Sequence, residues 1–340
     1  MTHKKRVILI QAMAALMLIA AGNVQGEHHD EAVMTGSGQY WYKPVIGWGE
    51  VPASDGIGST HGSIAVSKDG RAFVPTDTSR GILVFDQEGN YSGFFGSEFS
   101  GIHHLLINEE NGKEYIYAAH LGQNRAMKLT LDGKVEWTLP APEASGLYKN
   151  PGEYKPTAIA VAPGGEVFVT DGYGKNYIHK YDKDLNYVKS FGGRGKEGGK
   201  FTTPHGIGID TRGETPLLMV CDRENRRLQY FSLDGEHLSV FAPFLRRPCS
   251  VSFQGDLAVV AELQGRVTVL DKNNNPVAFL GDNPETKFWA NFRTDSTDWV
   301  PGIFTAPHGA CFDNDGNILV MDWNFKGRIT KMVRTPLLDK

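Results

Sequence analysis

One phrase recurs six times along this chain, and it sets what the chain can fold into. Each copy opens with a small or polar junction and an apolar strand, then a turn such as "KDG", "NDG" or "PGG". A second apolar strand follows, often ending in Asp, then a third that ends in an aromatic residue and a polar turn. "PHGIGIDTRGETPLLMVCDRENRRLQYFSLDG" and "PHGACFDNDGNILVMDWNFKGRITKMV" are two clear copies. The residue opening the first strand is His61, His103, Thr157, His205, Cys249 and His308 in turn, at spacings of 42, 54, 48, 44 and 59 residues. A unit of roughly 40–50 residues holding four short strands is the signature of a propeller blade. The expected fold is therefore all-β, a six-bladed β-propeller.

The 340 residues include 40 glycines, which suits many tight turns between short strands in one domain. Blades are expected at about 60–96, 101–139, 156–191, 204–241, 247–280 and 307–334, within a domain spanning 40–334. The last copy lacks a fourth strand, and "YWYKPVIGWG" (residues 40–49) resembles a fourth strand without its first three. Pairing of the two closes the ring and removes its exposed edges. Residues 27–39 are expected to be a flexible lead-in. Three insertions, 140–155, 192–203 and 281–306, fall between blades and share the mouth at which the repeated histidines begin their strands. The longest carries Phe288, Trp289, Phe292, Trp299 and Phe304, and Trp289 and Trp299 are expected to pack beside the opening as a lid. Gly193 to Gly198 satisfies a dinucleotide-binding spacing, but a β-repeat follows it instead of a helix, so it reads as a connection.

The first 26 residues read as a signal peptide. Lys4, Lys5 and Arg6 precede a short apolar stretch, and small residues offer cleavage after Gly22 or Gly26. That stretch is too short for a comfortable membrane span, so an exported protein, periplasmic or secreted, with no integral span after processing is expected. Its removal leaves 32 Lys+Arg against 39 Asp+Glu, a net charge near −7, which excludes the basic stripe of a nucleic-acid binder. Cys221, Cys249 and Cys311 are too few and odd in number for a disulfide framework. A monomer is expected.

His103, His205 and His308 come from alternate blades. Three imidazoles converging with threefold disposition supply a metal and leave a position open, the arrangement of a catalytic zinc. Any one such histidine can also serve simply to cap an inner strand. The ends of the second strands form a further ring: Asp77, His120, Asp171, Asp222, Glu262 and Asp322. These acids are expected to be structural, bonding backbone or arginine. Tyr173 and Arg223 lie one step further toward the mouth, Tyr173 suited to carry a proton and Arg223 to grip a carboxylate.

At these residues the chain resembles a known family. The repeats look like NHL repeats, and residues 156–233 resemble the lyase domain of peptidylglycine α-amidating enzymes. The phrases that carry the likeness are "PTAIAVAPGGEVFVTDGYGKNYI", "GKFTTPHGIGI" and "DRENRRLQYF". The resemblance implies a six-bladed propeller in which a zinc ion held by three histidines cleaves a peptidyl-α-hydroxyglycine into an amide and glyoxylate. It implies His103, His205 and His308 as zinc ligands, Tyr173 as the base and Arg223 as the substrate-binding arginine. Two positions depart from the family. Its first-blade arginine falls on Asp77, with Arg80 nearby, and the Asp of its structural calcium falls on Gly309, which puts calcium and the peptide substrate in doubt. His61, His104 and His120 have no assigned counterpart.

Two classes of function follow. One is an exported zinc-dependent lyase, of the carbon–nitrogen type by resemblance, acting on a small molecule or a peptide terminus. The alternative is a non-enzymatic NHL propeller that binds a protein or glycan.

Overall fold

The computed structural model describes residues 31–52, 56–241 and 244–336. The expected leader, residues 1–26, lies outside them. Short apolar strands bounded by glycine turns form six sheets around one axis. Blade one is Ala65–Val66, Ala72–Pro75, Ile82–Phe85 and Tyr91–Phe95, and blade two is Ile102–Glu110, Lys113–His120, Arg125–Thr130 and Val135–Leu139. Blade three is Ala158–Val161, Val167–Thr170, Tyr177–Tyr181 and Tyr187–Gly192, and blade four is Pro204–Asp210, Leu217–Asp222, Arg227–Phe231 and His237–Phe241. Blade five is Pro248–Gln254, Leu257–Glu262, Arg266–Leu270 and Pro276–Leu280. In each, consecutive strands pair antiparallel.

The sixth sheet has five strands. Pro307–Phe312, Ile318–Asp322 and Arg328–Arg334 are joined by Tyr40–Pro44, and Thr35–Ser37 adds to the outside. The lead-in was expected to stay flexible through residue 39, and the structure corrects this. Val33 N donates to Pro301 O, Gly281 N donates to Thr35 Oγ1, and Ser37 Oγ donates to Val277 O. These bonds tie residues 33–37 to blade five and to the neighbouring insertion, while the backbone of Thr35–Ser37 pairs as a strand with Tyr40–Tyr42.

Second and third strands are largely buried on both faces, which is why they read as continuous apolar runs, whereas fourth strands alternate exposed and half-buried residues at the rim. Apolar clusters fill the seam between each pair of neighbouring blades. Phe304, from the long insertion, is fully buried between blades five and six with Tyr42, Leu280 and Met332. Phe304→Ala is expected to cost about 3–5 kcal/mol in chemical denaturation; a loss below about 1 kcal/mol would show that the seam repacks around the gap. No helix among the described residues is long and apolar enough to cross a membrane.

Candidate metal centre

Four first strands carry the same irregularity. Their pairing with the second strand shifts register between Ile102 and His104, Pro204 and Gly206, Pro248 and Ser250, and Pro307 and Gly309. The residue skipped each time is His103, His205, Cys249 or His308. A bulge leaves its residue out of the ladder and re-aims the side chain, here into the axis. The glycine of "PHG" answers a second demand. A Cβ on Gly206 would collide with the Cys249 carbonyl, and one on Gly309 with the Ser63 backbone. The next blade thus lies against the strand at the point where the histidine turns inward.

That neighbour also fixes the imidazoles. His103 Nδ1 lies 2.6 Å from Thr157 O, His205 Nδ1 2.9 Å from Cys249 O, and His308 Nδ1 3.0 Å from Gly62 O. A carbonyl only accepts, so each Nδ1 carries the proton and each Nε2 keeps its lone pair. The three rings gather with centroids 4.6–4.9 Å apart, each side chain only 2% exposed. Nε2 of His103 and of His308 is buried with no hydrogen-bond partner. Burial, aided by the neighbouring cationic and imidazole groups, holds all three far below the ordinary imidazole pKa, hence neutral. Neutral imidazoles with inward lone pairs and carbonyl-anchored Nδ1 atoms are what a metal requires of histidine. Donor atoms within 4.8 Å of one another form two sets, His61–His103–His308 and His205–Cys249–His308, so the expected triad is distributed over both.

His205 Nε2 accepts from the Tyr173 hydroxyl at 2.9 Å, and Arg223 donates to that hydroxyl oxygen at 3.0 Å. Arg223 is held by Glu224, which also pairs with Arg247. Burial raises the Tyr173 pKa and Arg223 opposes the rise. The second-strand acids fix the approach to each first strand. Asp171 accepts from Lys155 N, Asp222 from Thr202 N, Glu262 from Arg246 N, and Asp322 from Thr305 N and Ala306 N. His120 occupies the same place in blade two and bonds Glu98 O at 3.1 Å. His104 accepts from Ile159 N and lines a cavity of about 380 Å³ further down the channel, with Ser63, Ser250 and Phe253. His104 and His120 thus bond backbone atoms and stand outside both donor sets at the axis. Arg80 donates to the Gly56 and Ile57 carbonyls, and Asp77 accepts from Ser59 Oγ. The three cysteines are free and buried.

Two features depart from the sequence reading. The tryptophans of the 281–306 insertion turn away from the opening: Trp289 lies under Arg246 at 4.3 Å and donates to Asn283 O, and Trp299 stacks near Arg328 at 5.3 Å. Each ring lies against a guanidinium, whose charge its face attracts, and the Trp289 ring N–H is also satisfied by the Asn283 carbonyl. The insertion reaches the mouth instead through Phe292, whose ring lies 5.0 Å from Trp323, itself 5.7 Å from His61. The second is His61, half-buried, 4.7 Å from His103 and 4.8 Å from His308 between ring centroids. Its membership of the six equivalent positions was the available signal. The Gly309 geometry, for its part, leaves no room for a carboxylate-bearing side chain there, so the family's calcium ligand does not fit this chain.

No family model matches the chain. A probable peptidyl-alpha-hydroxyglycine alpha-amidating lyase of Caenorhabditis elegans is 28% identical over 158 residues, 44% of this chain and 43% of that protein. The match thus spans less than half the length of that relative. Among solved structures, a streptogramin B lyase superposes with a TM-score of 0.57 at 16% identity, covering 91% of this chain and 99% of that one. A gluconolactonase from Xanthomonas campestris gives 0.59 at 12% identity, with 87% and 90% covered. Likeness at such identities is one of fold. The chain is a six-bladed β-propeller whose sequence resembles, over part of its length, a peptidyl-α-hydroxyglycine α-amidating lyase.

Proposed function

We propose that the protein is an exported, zinc-dependent lyase acting on a small molecule or peptide terminus that carries both a hydroxyl and a carboxylate. One observation carries the reading: three alternate blades aim neutral imidazoles at one axis, with two buried Nε2 atoms left unpartnered. The all-nitrogen donor set suits zinc. The "KKR" start and short apolar run of residues 1–26 support export.

His103, His205 and His308 would hold the ion, which when bound supplies a Lewis acid to a substrate oxygen. His205 Nε2 has a single lone pair, so a bound ion there would leave the Tyr173 hydroxyl without that acceptor. Tyr173 would then stay tied only to Arg223 and lose its own hydroxyl proton to solvent, and the phenolate so formed would take the proton from the substrate hydroxyl and return to the phenol. Arg223 steadies that phenolate until it takes the proton and presents its remaining N–H groups to a carboxylate. Phe292 and Trp323 cover the mouth side and limit water.

The test is release of glyoxylate from a peptidyl-α-hydroxyglycine by purified protein. Turnover lost on chelation and restored by zinc is the expected result; no glyoxylate from zinc-loaded protein would reject this substrate. In the same assay Arg223→Lys is expected to raise KM more than it lowers kcat, because an ammonium loses the planar two-point grip. A fall in kcat alone would remove Arg223 from binding.

A further inference from the structure

We propose that His61 is a fourth protein ligand of the centre, so that the resting site is closed by four imidazoles and a substrate enters by displacing His61. This rests on the reading that the axis holds a divalent metal. A nitrogen of His61 lies within 4.8 Å of nitrogens of His103 and His308, the two imidazoles whose Nε2 atoms have no partner. Ligands of a tetrahedral zinc at about 2.0–2.1 Å from the ion sit about 3.3 Å from one another. Each nitrogen of the His61–His103–His308 set therefore has to move by less than about 1 Å to share an ion in that geometry, and His205 joins through the donor set it shares with His308.

The three inner rings are anchored through Nδ1, but His61 makes only ring contacts among the described residues: with His103, His308, Trp323 and Tyr173. It is also the half-buried member of the group, facing the mouth, while the others are buried. An unanchored imidazole at the open side is the one a substrate oxygen can replace. Four protein ligands make a closed zinc site and three an open one, so His61 converts between the two. Cys249 is the rival for the fourth position, since it forms a donor set with His205 and His308. Its Sγ, however, lies 3.7 Å from Arg247 O in a donor's position.

Cobalt(II) replaces zinc as a spectroscopic probe. The purified protein loaded with cobalt(II) is expected to show intense tetrahedral d–d absorption that azide leaves unchanged. His61→Ala, and His61→Phe, which keeps ring packing against Trp323, should each bind cobalt at least about tenfold more weakly, with a weaker spectrum that azide shifts. Should His61→Ala fail to fold, His61→Phe decides. Spectra and affinities identical to wild type in the folded His61 variants, with cobalt lost in His308→Ala, would overturn the His61 assignment and leave the metal centre standing. A thiolate-to-cobalt charge-transfer band in the near ultraviolet would overturn it in favour of Cys249. Failure of the wild-type protein to bind cobalt(II) or zinc would overturn both.

Discussion

His308→Ala is expected to leave a folded protein without metal and without lyase turnover. His308 contributes one of the two unpartnered Nε2 atoms and belongs to both donor sets at the axis, so its loss breaks each of them. The same substitution frees the Gly62 carbonyl, which one of the many hydrogen bonds between blades now satisfies. That costs roughly 1–3 kcal/mol for a buried acceptor, small beside the apolar seams that hold the ring. Elemental analysis after dialysis, read beside a thermal melt, checks the outcome. Wild-type metal content in the variant would move the centre away from the axis.

Tyr173→Phe is expected to lower kcat by roughly two to four orders of magnitude with metal content unchanged, since general acid–base groups typically contribute about 10²–10⁴-fold. The phenyl ring keeps the packing against His103 and His205 and loses only the hydroxyl that bridges His205 and Arg223. Full turnover in this variant would require the proton to pass through another group. His61, whose pKa is pushed down to about 4 by burial and by Arg223, is the nearest imidazole outside the inner three.

Much of this site could be read from residues because the repeat numbers its own positions. Six copies of one phrase give six equivalent strand starts, and alternate blades pick out His103, His205 and His308. The turn of each histidine into the axis could not be read, because it depends on a bulge and on a carbonyl supplied by the next blade, 44 to 54 residues or more along the chain. The glycine of "PHG" proves to be a point of close approach between blades, a demand that comes from a neighbour distant in sequence. Aromatic content marked the 281–306 insertion as ordered but not where its rings point. Phe304 goes to the core because its N–H bonds the Gly281 carbonyl and carries the ring back into the seam. Trp289 goes to the half-buried Arg246 and Trp299 to the buried Arg328.

Closure of the ring has a consequence for the order in which the site is assembled. The bond from His308 Nδ1 to Gly62 joins residues 246 positions apart, and the sixth blade needs Tyr40–Pro44 from one end and Arg328–Arg334 from the other. A chain emerging N-terminus first carries His103 and His205 long before His308 arrives. Contacts of such separation form late, since the loop they close must be ordered before it rewards the chain. Until the final blade docks, His308 has neither its bulge nor its anchoring carbonyl, and the imidazole set has no fixed focus. The finished set is thus a certificate that the whole circle has shut, and an ion that needs all its ligands is captured last, by a chain already committed to its native topology.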